Sequence, residues 1–192
     1  MLENRHISRR QSYTEGKRLA SLYNIIPNMI WTVLHLTPVT VYCFSDLPLK
    51  YLYIFGGISI VFAALPHRFY FWIQLSNRIR VYHKVGILLI RKFSQDGDWV
   101  NQAVRRRYPN YTVIFRRQDI DGYIAKTYFF ERFHMLLWIF MLAVSIYAAV
   151  EKDWIWAIII FLNNILYNLY PIFLQQYNRL RVLRILSKSK KI

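Results

Sequence analysis

The chain has 192 residues, 55% of them hydrophobic, yet its net charge is +16, from 26 Lys and Arg against 10 Asp and Glu. Apolar and basic residues are segregated along the sequence, the pattern of an integral membrane protein rather than of a soluble domain. The one cysteine, Cys43, excludes an internal disulfide, and the basic charge is explained by membrane orientation with no nucleic-acid motif, so no nucleic-acid partner is expected.

Residues 1–24 are a polar, basic leader, without the short apolar core and small-residue cleavage site of a signal peptide. The first apolar run, residues 25–44, is long enough to span a bilayer at about 20 residues. It tolerates Pro27 in its first turn, and His35 inside it is expected to pack against a neighbouring helix. The second run, residues 51–65, covers only about 22 Å at the helical rise, short of a hydrocarbon core of about 30 Å. It then meets Pro66, so the segment 51–75 reads as a short or kinked span bending at Pro66 into an interfacial aromatic helix, with a re-entrant segment as the alternative. Gly56 and Gly57 are expected to allow close helix packing.

Residues 76–133 form a basic, partly amphipathic middle segment carrying 12 Lys and Arg. Within it, residues 85–93 read as a strand or a membrane-lying segment. Asp96-Gly97 reads as a turn, and Asp98 is placed to cap a helix over residues 98–108 that Pro109 ends. Trp99, Val100, Ala103 and Val104 make its apolar face, and Asn101, Arg105 and Tyr108 lie on another. Residues 111–117 suit a short strand. A helix starting at Asp119 or Asp121 is expected to continue into a third span, residues 134–150, and a fourth span follows over residues 154–174. Asn164, Asn168, Gln175, Asn178 and Arg179 recur at helical spacing along this last helix. The stripe reads either as helix–helix hydrogen bonding or as the wall of a polar cleft.

The leader holds five Lys or Arg, the middle segment twelve and the tail after residue 174 six, whereas the two short loops hold one each, Lys50 and Lys152. The positive-inside rule therefore puts both termini and the middle segment in the cytoplasm. The expected fold is an all-α, multi-pass integral membrane protein of about four transmembrane helices forming one membrane domain. Its partners are membrane lipid and anionic phospholipid headgroups.

Glu131 and His134 stand three residues apart at the start of the third span, which puts them on a shared helix face. A carboxylate beside an imidazole orients it as a general base requires. The bland alternative is that both mark the wet end of a membrane helix. The pair resembles half of a di-iron carboxylate site, but no second pair exists and the chain has 10 acids in all, so iron is not expected. No HExxH, GxSxG, Walker A or GxGxxG occurs, and five scattered His make no metal site. The sequon Asn110-Tyr111-Thr112 falls in the segment placed in the cytoplasm. Arg105, Arg106 and Arg107 suit either a phosphate or anionic lipid.

His83-Lys84, Asp96-Gly97, Asn101-Gln102, Glu131-x-x-His134, Tyr170-Pro171 and the run Gln175-Gln176-Tyr177-Asn178-Arg179-Leu180-Arg181 follow in an order that resembles the glycosyl-4,4'-diaponeurosporenoate acyltransferase family of carotenoid biosynthesis. The resemblance covers roughly residues 66–186. The leader and first span are longer than in the family, and Gln176 stands where the family has a basic residue. The resemblance implies an acyl-transfer site more strongly than a carotenoid substrate.

The resulting expectation is a membrane-embedded acyltransferase of the bacterial cytoplasmic (inner) membrane. It would move a fatty acyl group from a cytoplasmic thioester, acyl-CoA or acyl carrier protein, to a hydroxyl of a lipid-linked sugar or other lipid. No metal or bound cofactor is expected. His134 is the expected base, Glu131 its orienting partner and His83 a second candidate. Asn101, Arg105, Asn168, Gln175, Asn178 and Arg179 are the expected substrate-binding or oxyanion-stabilising residues. The alternative is a non-enzymatic subunit of a larger membrane assembly, with the polar stripe and the aromatics as contact surfaces for partner subunits.

Overall fold

The computed structural model describes residues 2–94, 97–114 and 119–189. Among these, the regular structure is nine α-helices and one π-helical turn, with no strand. Helix α1 (Leu2–Ser45) runs unbroken for 44 residues, about 66 Å at the helical rise. The leader and the first apolar run are thus one helix rather than two segments. Pro27 and Pro38 lie inside it, and each removes one backbone donor. Thr37 Oγ1 donates to the Val33 carbonyl at 2.6 Å in the turn before Pro38.

Helix α2 (Leu49–Ala64) stops at Leu65 and Pro66, both extended, and α3 (His67–Trp72) follows. The expected bend at Pro66 is therefore present. Carbonyls at the broken helix end find donors: Tyr70 Oη lies 3.1 Å from those of Phe62 and Ala63, the Leu65 amide also reaches that of Phe62 at 3.3 Å, and Arg132 Nη2 donates to that of Leu65 at 3.1 Å. Gly56 and Gly57 do not serve close packing, because a Cβ at either would meet nothing within 4 Å. Sequence shows where small residues lie but not which face of the helix turns inward.

Helix α4 (Ile79–Lys84) and helix α5 (Ile87–Phe93) meet at Gly86, whose φ of 83° lies in the left-handed region. Residues 85–93, expected as a strand or membrane-lying segment, are thus mostly helix α5. No strand stands beside them among the described residues; Ile87 is buried against Leu174 and Tyr177 instead. Helix α6 (Asp98–Arg107) ends two residues before Pro109, one residue short of the expected end, with Tyr108 as its C-cap. Gly97 rather than Asp98 holds its N-cap position. The Asp98 carboxylate turns to Arg91 at 3.0 Å, which competes with any capping role. Asp96 and residues 115–117, parts of the expected turn and strand, lie outside the described residues, and residues 111–114 form no strand.

Helix α7 (Asp119–Val150) runs through the expected third span; residues 115–118 before it lie outside the described residues. It closes with Lys152 at φ 68°, where the Lys152 and Asp153 amides bond the Ala149 and Ala148 carbonyls. Helix α8 (Trp154–Asn164), a π-helical turn (Ile165–Leu169) and α9 (Tyr170–Ser189) form the last stretch. Pro171 explains the widened turn. It has no N–H for the Tyr167 carbonyl four residues back, and the Tyr170 amide reaches the Ile165 carbonyl five residues back.

Helix α7 is central, touching α1, α2, α8 and α9. Toward its C-terminal end, Met141, Val144 and Ala148 pack with Val39 and Tyr42 of α1 and Ala157 and Ile160 of α8. Toward its N-terminal end, α9 carries α4 and α5 on one side, and α6 packs on α1 through Ala20, Val100 and Val104. Two stretches among the described residues, Asp119–Val150 and Trp154–Arg184, are long and apolar enough to cross a membrane.

A Cβ on Gly97 would collide with the Arg91 and Ser94 carbonyl oxygens, whereas Gly56 faces open space. Gly97→Ala should cost roughly 1–3 kcal/mol by overpacking. Gly56→Ala should be neutral or stabilising by up to about 1 kcal/mol. Thermal unfolding of the purified protein in detergent checks both.

Candidate active site

Between α1, α5, α6, α7 and α9 lies a cavity of about 660 Å³. The sequence rule that builds it is the same on its two main walls. Helix α7 lends Tyr123, Lys126, Thr127, Phe130, Phe133 and His134, and α9 lends Pro171, Leu174, Gln175, Asn178, Arg181 and Val182. Both sets follow steps of three and four, one face of a helix. The helices run antiparallel, with Glu131 opposite Gln176 and Arg179, and His134 opposite Asn168.

The structure separates Glu131 from His134. Glu131 is fully buried and takes two charge-assisted hydrogen bonds, from Gln176 Nε2 at 2.8 Å and from Arg179 Nη1 at 2.7 Å. Gln176 is held in turn, since its Oε1 accepts from the Leu75 amide and the Tyr82 hydroxyl, each at 3.1 Å. Burial pushes the Tyr82 phenol up to about 12, so it stays a donor at neutral pH. Arg179 lies over the Tyr128 ring at 3.9 Å. The expected Glu131–His134 contact is thus replaced by a knot tying α7, α9 and the α3–α4 connection together. Residues three apart on a helix point about 60° from each other, and here α9 claims one direction and the cavity the other.

His134 is oriented by amides instead. Its Nδ1 lies 3.3 Å from Asn168 Oδ1. Asn168 Nδ2 donates to Asn164 Oδ1 at 2.8 Å, and Asn164 Nδ2 donates to the Trp138 carbonyl at 3.0 Å. A backbone carbonyl only accepts, so the relay has one direction. Each amide nitrogen points back toward Trp138, and Asn168 presents its oxygen to the imidazole. His134 Nδ1 must then carry the proton, and in the neutral ring Nε2 holds the lone pair. The Tyr167 ring stands edge-on to the imidazole, 5.9 Å between centroids.

Five of the nine expected site residues line the cavity: His134, Asn101, Arg105, Gln175 and Asn178. Asn168 stands behind His134, and Glu131 and Arg179 form the buried knot. His83 is outside: it is exposed and lies against the Tyr177 ring, 5.6 Å between centroids. The polar stripe of the last helix divides between its two readings. Asn164 and Asn168 make buried helix–helix bonds, while Gln175 and Asn178 face the cavity. His35 is packed as expected, stacked on Trp31 and Tyr167 with Nδ1 2.6 Å from Asn163 Oδ1.

The sequence reading missed Lys126, Arg181 and Trp31 as cavity residues. The three-and-four spacing from His134 back to Lys126 was the available signal. Lys126 and Arg181 mark one end of the cavity, and His134, Trp31 and Leu166 the other. Asp98 is the acid among the described lining residues, and Arg91 holds it.

Fold and site together define an all-helical protein with an amphipathic cavity, cationic at one end and bearing one oriented imidazole at the other. The chain belongs to the glycosyl-4,4'-diaponeurosporenoate acyltransferase family, whose family model matches residues 66–188. The matched segment holds every cavity-lining residue except Asn28, Trp31 and Thr32 of α1. No match was found among curated proteins or among solved structures.

Removing the Glu131 charge leaves Arg179 buried without its carboxylate. Glu131→Ala should therefore cost about 3–5 kcal/mol of stability. Glu131→Gln, which keeps an acceptor, should cost clearly less. Unfolding in detergent, followed by loss of helical signal, reads both. Equal, negligible losses would contradict a scaffold role for Glu131.

Proposed function

We propose that this protein is a multi-pass membrane acyltransferase, moving a fatty acyl group from a thioester donor to a hydroxyl of a lipid-linked sugar or other lipid. The observation that carries the reading is His134 at the apolar end of an amphipathic cavity, its ring oriented by the Asn168–Asn164 relay. Family membership supports the reaction class. In this mechanism Nε2 takes the proton of the acceptor hydroxyl as its oxygen attacks the thioester carbonyl. The imidazolium then returns the proton to the departing thiolate, while Gln175 and Asn178, further along the cavity wall, bind the polar part of the substrate. The donor is acyl-CoA or acyl carrier protein, reaching the site from the cytoplasm.

Membrane embedding is supported by apolar surface that the described residues leave uncovered. Only 28% and 39% of the most apolar windows of the two long stretches are buried, where the core helix of a soluble protein would be mostly buried. Large apolar side chains are also exposed along α1 and α2, among them Ile26, Met29, Val33, Ile54 and Val61. On this reading α1 and α2 supply two further spans, and both termini and residues 76–133 face the cytoplasm of a bacterial inner membrane.

His134 is partly exposed to the cavity, so His134→Ala should leave the fold intact and lower lipid acylation by roughly 10²–10⁴-fold. Lipid analysis of cells carrying only the variant checks this. Unchanged acylation combined with lost co-purification of a membrane partner would support the subunit alternative instead. Reporter fusions at Asp46 and Lys152 should read outside, and fusions in residues 76–133 inside. A cytoplasmic signal at either short loop would overturn the four-span topology.

A further inference from the structure

The cavity has a charge gradient that acyl transfer alone does not require. Lys126 stands two helical turns before His134 on α7, about 12 Å along the axis. Arg181 stands at the matching end of antiparallel α9, and Arg105 enters from α6. Arg105 is held in place by its Nε, which donates to the Tyr111 carbonyl at 3.3 Å. The guanidinium of Arg181 lies 5.6 Å from the Tyr177 ring. Asp98, the acid among the described lining residues, is already occupied by Arg91. Trp31, Phe133 and Leu166 line the far end with apolar surface.

We propose that Arg105 and Arg181, with Lys126, form a phosphate subsite. It holds a phosphate ester of the substrate while the reacting carbonyl or hydroxyl lies at His134. Guanidinium groups suit this role because they bind phosphate through paired N–H donors. The ligand is therefore an amphiphile with its phosphate about 12 Å from the reacting group along the cavity axis. Two sources share that chemistry. One is a phosphopantetheine thioester donor, with phosphates on the polar side of the thioester. The other is an acceptor lipid that itself carries a phosphate. The subsite rests on the acyltransferase reading for the identity of the reacting group, but not for its binding chemistry.

Arg106 and Arg107 provide the control. They stand beside Arg105 in sequence and are exposed as it is, but unlike it they do not line the cavity. General attraction of anions to a basic surface would weaken equally in either pair of variants; a built subsite would not.

The test uses the full-length protein in neutral-lipid nanodiscs, with two probes: radiolabelled coenzyme A and a short-chain phosphatidic acid. Saturable binding of coenzyme A assigns the phosphate to the donor, and saturable binding of phosphatidic acid assigns it to the acceptor. For whichever probe binds, Arg105→Gln with Arg181→Gln should weaken binding at least about tenfold, the loss of one charged hydrogen bond. Arg105→Lys with Arg181→Lys should recover part of it and confirms that the site is intact. Arg106→Gln with Arg107→Gln should leave binding within about twofold, a few tenths of a kcal/mol. His134→Ala should bind the probe normally while losing acylation. Saturable binding of neither probe, or equal weakening in the two Gln pairs, overturns the subsite. Full acylation by His134→Ala with arginine-dependent probe binding would instead overturn the catalytic reading and keep the subsite.

Discussion

The buried ion pair between Glu131 and Arg179 is the contact on which the site geometry depends. Both side chains are almost wholly removed from solvent, and their separation is 2.7 Å. Taking two charges out of water is expensive, so such a pair persists only when its geometry and its remaining hydrogen bonds are good. Gln176 provides the second bond to Glu131, and its own oxygen draws in the Leu75 amide and the Tyr82 hydroxyl. This knot fixes the register of α9 on α7. Because both helices carry their cavity-facing residues at steps of three and four, one register decides which end of the cavity is cationic. Slipping α9 by one residue would turn Asn178 and Arg181 out of the cavity and leave Glu131 buried without a partner.

The Asn168–Asn164 relay lies on the far side of the same helix pair, and the π-helical turn brings Asn168 to His134. Pro171 forces that turn by withholding one backbone donor. The imidazole is therefore held by a neutral amide anchored on a backbone carbonyl. A carboxylate partner would stabilise the imidazolium; an amide only fixes the ring and its tautomer. For the proposed reaction this suits a base that must begin uncharged beside apolar surface. The scaffold supplies its charges elsewhere, in the Glu131 knot and at the cationic end of the cavity.

Much of this was legible in the residues. Apolar run lengths gave the long helices, Pro66 gave the bend, and the ordered motifs gave the family. What failed was anything decided by a neighbour across space. The spacing of Glu131 and His134 placed them near each other but could not show that Arg179, 48 residues on, would claim the carboxylate. The stripe from Asn164 to Arg179 read as one surface, yet the widened turn at Ile165–Leu169 and the packing of α7 split it between buried bonds and cavity wall. Residues 85–93 are apolar enough for a strand, and only their docking on α9 decides for a helix. The leader looked separate because its charges differ from the run that follows, but a change of polarity does not break a helix.

The central claim is that the reacting group meets the protein beside His134, at the apolar end of the cavity. A lipid alcohol with a photoreactive diazirine next to its hydroxyl tests this most directly, irradiated with the purified protein and mapped by peptide mass spectrometry. The account predicts label on Phe133, His134 or Tyr167, competed away by unmodified acceptor. Competed label instead at the opposite end of α7, around Leu47 and Ala148, would contradict it.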